Sequence, residues 1–230
     1  PAARRLAVLL PDYPGAGGRT GYAVGLDGPA SVLALLEDLS AAGYGVAAPP
    51  ATARDLVAAL EHEAPGLPLV DYAALFATLP EAARAAVLAA WGPPEADPAV
   101  RDGAFRFRAL SCGAVTVAVA PDRGIAANRR ADWHDPALPP RHALLAFGFW
   151  LRHGLDAHAA VHMGAHGSLE WLPGKAVALT AACFPEAVLG PLPVFYPFLV
   201  SNPGEAAQAR RRIGAVTLGH LPPRLAGAGL

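Results

Sequence analysis

The chain has little with which to staple itself shut or anchor itself in a membrane. Its 230 residues include two cysteines, one methionine and one lysine. Two cysteines, Cys112 and Cys183, make no disulfide framework; they are expected as small buried hydrophobes in a reducing cytoplasm. No apolar run approaches the roughly 18–20 residues of a membrane span. Residues 6–10 are too short for a signal-peptide core. A net charge of -1 lacks the basic excess that nucleic acid demands of a partner. Pro1 stands where an initiator Met would, which fits an excised or processed piece. What the chain does have is apolar content: 53% of residues, with a mean hydropathy of +0.32. That excludes a disordered polymer, and the length allows one large core or two small ones.

The apolar residues fall in short runs that alternate between two periods. Residues 6–10 form a continuous apolar run ending at Pro11, as in a buried parallel strand. A glycine-rich loop over 15–28 follows. Pro29 and Ser31 then open a helix with Val32, Leu35, Leu36 and Leu39 on one face and Gly43 at its end. Helical spacing recurs over 53–63, 71–78 and 81–90. Residues 91–100 read as a Pro- and Asp-rich loop, and 91–103 is the best place for an internal sub-boundary. The β-branched run at 114–120 predicts a strand. Residues 132–140 predict a loop, 141–153 a helix, 157–163 a strand and 205–212 a helix. Residues 194–200 predict a strand that Pro197 interrupts, hence an edge, and 215–218 a last strand. Strands alternating with helices imply an α/β fold with a mostly parallel sheet flanked by helices. In such sheets, sites gather at the carboxyl ends of the strands.

One segment leaving such a strand end concentrates chemistry. Residues 162–175 read His-Met-Gly-Ala-His-Gly-Ser-Leu-Glu-Trp-Leu-Pro-Gly-Lys. His162, His166 and Glu170 recur every four residues on a glycine-broken loop. Imidazole and carboxylate suit Co, Fe, Ni, Cu or Zn, and they also move protons near neutral pH. The plainer alternative is one hydrogen-bonded core histidine and a Glu170 that caps a turn opened by Ser168. Lys175 is the only lysine among 18 basic residues; it fits either chance in an Arg-rich composition or a place where an ammonium is needed rather than a guanidinium.

Familiar motifs fail at defined positions. Ala176 follows Gly174-Lys175, so there is no phosphate-binding P-loop. Thr20 replaces the last glycine of a dinucleotide fingerprint begun at Gly15. Met163 follows the first histidine where a zinc protease has Glu. A zinc hydrolase built on the same His and Glu side chains is a rival reading. A second constellation, Ser201-Asn202-Pro203-Gly204-Glu205, opens a helix that carries Arg210, Arg211 and Arg212. Glu205 suits a helix start on dipole grounds alone. The arginines fit either a solvated helix end or recognition of carboxylates. Asp132, Trp133, His134 and Asp135 read as an ordinary turn.

Residues 162–175 resemble the central signature of the large-subunit family shared by aerobic cobaltochelatase and the H subunit of magnesium chelatase. The resemblance continues through Cys183, Pro185, Leu189-Gly190, Leu192-Pro193, Tyr196-Pro197 and 202–212. Upstream it includes Tyr13-Pro14, Gly18-Arg19, Gly25-Leu26-Asp27, Pro29-Ala30-Ser31, Pro121-Asp122-Arg123-Gly124 and His134-Asp135-Pro136. It covers nearly the whole chain in order, as an internal fragment of a larger multidomain chelatase subunit. Trp171-Leu172-Pro173-Gly174-Lys175 and Tyr196-Pro197-Phe198 look like the cobalt branch.

The resemblance implies a cobaltochelatase, a ligase that inserts Co²⁺ into a corrin, hydrogenobyrinic acid a,c-diamide, in cobalamin biosynthesis. ATP would be hydrolysed on partner motor subunits. His162, His166 and Glu170 would handle the metal, with Glu170, Glu205 and His166 catalytic. Arg210, Lys175, Asn202 and Trp171 would bind the ring. The alternatives are a magnesium chelatase acting on protoporphyrin IX, or a tetrapyrrole- or metal-binding module inactive by itself.

Overall fold

A computed structural model describes residues 1–12, 20–23, 26–124, 132, 135–164, 169–199 and 203–220. The sheet is built around β1 (Leu6–Leu10). Its side chains alternate across the sheet, as the pleat requires. Ala7 and Leu9 enter one core and Val8 and Leu10 the other. The chain continues through a two-stranded ribbon, β2 (Tyr22–Ala23) and β3 (Leu26–Asp27). Next come α1 (Gly28–Ala41), α2 (Ala53–Ala59), β4 (Glu63–Pro68), α3 (Leu69–Ala77) and α4 (Glu81–Trp91). Then follow β5 (Val100–Arg101), β6 (Ala104–Cys112) and β7 (Val115–Val119). The second half holds α5 (His142–Phe149), β8 (Ala159–His162), α6 (Phe184–Leu189), β9 (Val194–Leu199), α7 (Pro203–Arg212) and β10 (Val216–His220).

The order across the main sheet is β10-β9-β8-β1-β7-β6-β4, with β5 also on β6. The first five strands are mutually parallel; β6 runs antiparallel to β7, β4 and β5. This is the mostly parallel α/β sheet that the alternation predicts. Val32 and Leu36 of α1 and Leu56 of α2 bury against Val8, Leu10, Val117 and Val119 on one face. On the other, α3, α4, α5 and α6 cover Ala7, Leu9, Phe105, Phe107 and Ala160. All eight residues of α5 are buried, so its apolar character all round, rather than a single stripe, matches its place. The connection from β1 reaches β7 on one side, whereas β8 leads to β9 and β10 on the other. The β1/β8 boundary is therefore the switch point of the sheet, the place where open α/β sheets generally bind ligands at the carboxyl ends of their strands.

Several sequence expectations change. Helical spacing over 53–63 ends at Ala59, because residues 63–68 pair with β6 instead. Strand β4 holds Pro65, Gly66 and Pro68, which mask it in sequence; it survives at the sheet's end, with a register shift between Pro65 and Leu67. Strand β9 is no edge: β8 and β10 flank it. The ladder to β8 stops at Phe195, two residues before Pro197, so the proline interrupts no pairing on that side. The α1 cap also differs, since Asp27 rather than Ser31 accepts the bond of the first turn, from the Ala30 amide at 3.0 Å.

Candidate functional site

His162 is the last residue of β8, and its neighbour Met163 still donates its amide to Leu9 O at 2.8 Å. The imidazole is 6% exposed and meets the Tyr196 ring edge-on, centroids 4.5 Å apart. The chain then passes directly against the turn that ends β1. A β-carbon on Gly164 would lie 2.7 Å from Pro11 Cγ and 3.3 Å from His162 Nε2. Only glycine allows this approach, so the glycine lets the end of β8, with its histidine, pack against Pro11 at the β1/β8 boundary.

Residues Leu169–Trp171 form one 3-10 turn, with Glu170 1% exposed. The backbone from 170 to 175 is held from three directions. Arg212, the last residue of α7, donates through Nη1 to Glu170 O at 2.7 Å and through Nε to Lys175 O at 3.1 Å. Arg123, beyond the end of β7, donates through Nη1 to Trp171 O at 3.2 Å. From α6, the Phe184 amide donates to Pro173 O at 3.0 Å. Cys183 Sγ accepts the Lys175 amide at 3.4 Å. Gly174 has φ +147, and a β-carbon there would lie 2.7 Å from Cys183 Cβ.

Arg123 is itself 3% exposed, and its Nη2 also donates to Asp135 O at 2.7 Å and Leu138 O at 2.8 Å. Burial lowers its pKa, opposed by the charges of Asp135 and Asp132. Burial likewise lowers that of Arg212, opposed by Cys183 and Glu170. In Cys183 burial loses the contest. It would push the thiol up, but the amides of Thr180 and Lys175, the Thr180 hydroxyl and the Lys175 charge outweigh it, and the net shift is downward. Cys112 is the plain buried thiol expected, pushed up by burial.

The structure thus gives His162, Glu170, Trp171 and Lys175 defined places. Trp171 is 37% exposed and Lys175 is exposed. Glu205 lies half-buried in the first turn of α7, and Arg210 is exposed near the helix's end. His166 and Asn202 lie outside the described residues, as do Ser168, Trp133 and His134. Among the described residues, no group of three His, Cys, Asp or Glu side chains converges as a metal site. Sequence reasoning gives Arg123 and Arg212 no role as anchors. A lone arginine beside Gly124, and one arginine of three in a row, carry no signal of which carbonyls they will meet.

The whole chain, residues 1–230, matches the family profile described as CobN/Magnesium Chelatase. It is 48% identical to the aerobic cobaltochelatase subunit CobN of Pseudomonas aeruginosa, over 97% of this chain and 19% of that protein. Against the magnesium-chelatase H subunit of Chlorobaculum parvum it is 34% identical, over 99% of this chain and 19% of that protein. Among solved structures, the catalytic subunit of cobaltochelatase from Mycobacterium tuberculosis superposes with a TM-score of 0.84 at 42% identity, covering 97% of this chain and 20% of that one. The chain therefore spans only 19% to 20% of the length of these relatives. A match over every residue, with the fold shared by a solved relative, leads to one assignment: this chain belongs to the CobN/Magnesium Chelatase family.

Proposed function

We propose that this chain is the metal- and ring-handling part of a cobaltochelatase large subunit. Its substrates are Co²⁺ and a corrin, hydrogenobyrinic acid a,c-diamide, and ATP is hydrolysed on partner motor subunits. The observation that carries the reading is Glu170: a carboxylate 1% exposed, on a segment anchored at its carbonyls by two arginines, eight residues after a histidine at the switch point. The higher identity to the cobalt relative, 48% against 34%, supports cobalt over magnesium. So does the donor type, since imidazole suits Co²⁺ and Mg²⁺ prefers oxygen and keeps its water.

Metal insertion strips water from Co²⁺ and removes the proton carried by the ring nitrogens of the corrin. In this reading His162 and His166 hold the incoming ion and pass it to the ring. Either Glu170 or Glu205 on α7 takes the ring proton. A fixed carboxylate in a dry position does this better than a mobile one, because its geometry costs nothing to assemble at the moment of transfer. Trp171, 37% exposed, offers a flat apolar surface to the macrocycle. Lys175, Arg210 and Asn202 supply donors for its carboxylate and amide side chains. The chain by itself is a binding module, and turnover requires the rest of the subunit and the motor.

The test is His166→Ala and Glu170→Ala in the full-length subunit, assayed for cobalt insertion with motor subunits and ATP. Each is expected to lower the rate by about 100-fold or more, the scale of a lost acid–base group. Retained activity in both variants overturns the assignment.

A further inference from the structure

Glu170 sits on a 3-10 turn of three residues, too short to hold a shape of its own. Between Glu170 and Lys175, five main-chain groups are anchored from outside the segment: Glu170 O, Trp171 O, Pro173 O, Lys175 N and Lys175 O. Guanidinium groups hold three of those five, and such charge-assisted bonds are stronger than neutral ones. Arg212 alone joins two carbonyls five residues apart, through Nη1 and Nε. A lysine ammonium cannot reproduce that planar fork. Arg212 also ends the helix whose first turn carries Glu205. Seven residues of helix, at about 1.5 Å each, make α7 a rigid strut of about 10 Å between that carboxylate and the Glu170 turn.

We propose that Arg212 is a positioning residue: with Arg123 it sets the place of Glu170 through the main chain of residues 170–175, and through α7 it ties that place to Glu205. Of the three consecutive arginines it is this one, rather than exposed Arg210, whose guanidinium is committed to the protein's own carbonyls. It acts without contacting ring or metal. The proposal rests on the reading of Glu170 as a proton acceptor, and its test separates the two.

In the full-length subunit with motor subunits, ATP, Co²⁺ and the corrin, Arg212→Ala is expected to lower kcat about 10- to 100-fold, the penalty of a carboxylate displaced by about an ångström. The KM for the corrin stays within about twofold, since no ring contact is removed. Added guanidinium ion restores part of kcat. Amide hydrogen exchange in Arg212→Ala quickens over residues 170–175 while the β1 and β8 amides keep their protection. A raised corrin KM at unchanged kcat makes Arg212 a ring-binding residue and overturns the proposal. So does unchanged exchange over 170–175. Should Arg212→Ala fail to fold, Arg212→Lys keeps the charge and loses the fork; wild-type kcat in that variant also overturns it. If Glu170→Ala remains active, the functional reading fails, and the exchange experiment still decides whether Arg212 holds the turn.

Discussion

Two polar sites of this fold use the same residue types with a different balance of side-chain and main-chain partners. The first joins α3, α5 and the loop before β5. There His142 is fully buried between Tyr72 OH, 2.6 Å from Nδ1, and Gly92 O, 2.9 Å from Nε2. The neutral ring donates from Nε2 to the carbonyl and accepts the phenol proton at Nδ1. Asp97 accepts from Arg141 at 2.5 Å, from the Ala143 amide at the start of α5 at 3.1 Å and from Ala99 at 2.9 Å. Each of these side chains is engaged by its neighbours, and the product is a fixed junction. Arg141 also donates to Gly124 O at 3.2 Å, but in the second site Arg123 and Arg212 hold main-chain carbonyls of one short segment, residues 170–175. Holding a segment by its backbone leaves the identity of its side chains to be chosen for chemistry. In the proposed reading, that difference separates a cluster that builds the fold from one that positions reactive groups.

The largest effect that would break the comparison is on stability at the first site. Asp97→Ala leaves Arg141 without its carboxylate in a buried setting, and should cost about 3–5 kcal/mol, read as a fall in the denaturation midpoint. A loss below about 1 kcal/mol would mean the pair is no better than a surface bridge. Glu170→Ala at the second site should invert this pattern, with cobalt insertion lost and the unfolding midpoint of the full-length subunit little changed. A midpoint that falls as far as for Asp97→Ala would make Glu170 a structural residue.

Gly174→Ala sharpens the contrast at smaller scale. The positive φ and the close Cys183 β-carbon together predict a loss of about 1–3 kcal/mol, with the Lys175–Cys183 contact displaced and the thiol's pKa returning upward. An unshifted thiol titration would show that Gly174 does not set that contact. The smallest effect is on pH dependence. Burial lowers the folded pKa of His142, so the unfolded chain takes up a proton that the folded one refuses. Stability from this group is complete above about pH 6.5 and falls as pH drops below it, by up to about 1.4 kcal/mol per pH unit, until the folded pKa is reached. Urea midpoints between pH 7.5 and 5 check this, and His142→Gln should remove that component of the slope. An unchanged slope assigns it to other groups.

The strands legible in sequence are those whose composition matches their burial. The apolar run at 6–10 and the β-branched run at 115–119 lie in the sheet's centre, covered on both faces. Strand β6 is not among the expected strands. Its alternation Phe105-Arg106-Phe107-Arg108 turns the phenylalanines to the core, but that period-two signal is short and ends in a less regular stretch. Strand β4 is hidden by its prolines, since its pairing with β6 depends on a partner some forty residues away. The candidate site divides in the same manner. His162, Glu170 and Lys175 announce themselves by residue type among glycines. Arg123 and Arg212 do not, because a guanidinium is defined by what it reaches, and these reach carbonyls 48, 42 and 37 residues away in the chain.

By itself the sequence determined the alternation of strands and helices, the parallel character of the sheet, and the segment where imidazole, carboxylate and amine side chains are concentrated. Those properties follow from local periodicity, composition and residue chemistry. Only the tertiary structure decided that β8 lies against β1 at the switch point, that Pro197 sits inside the sheet rather than at its edge, and that two arginines hold the turn of Glu170. These are long-range contacts, set by packing and hydrogen bonding between segments remote in the chain, and no short window of sequence contains both partners.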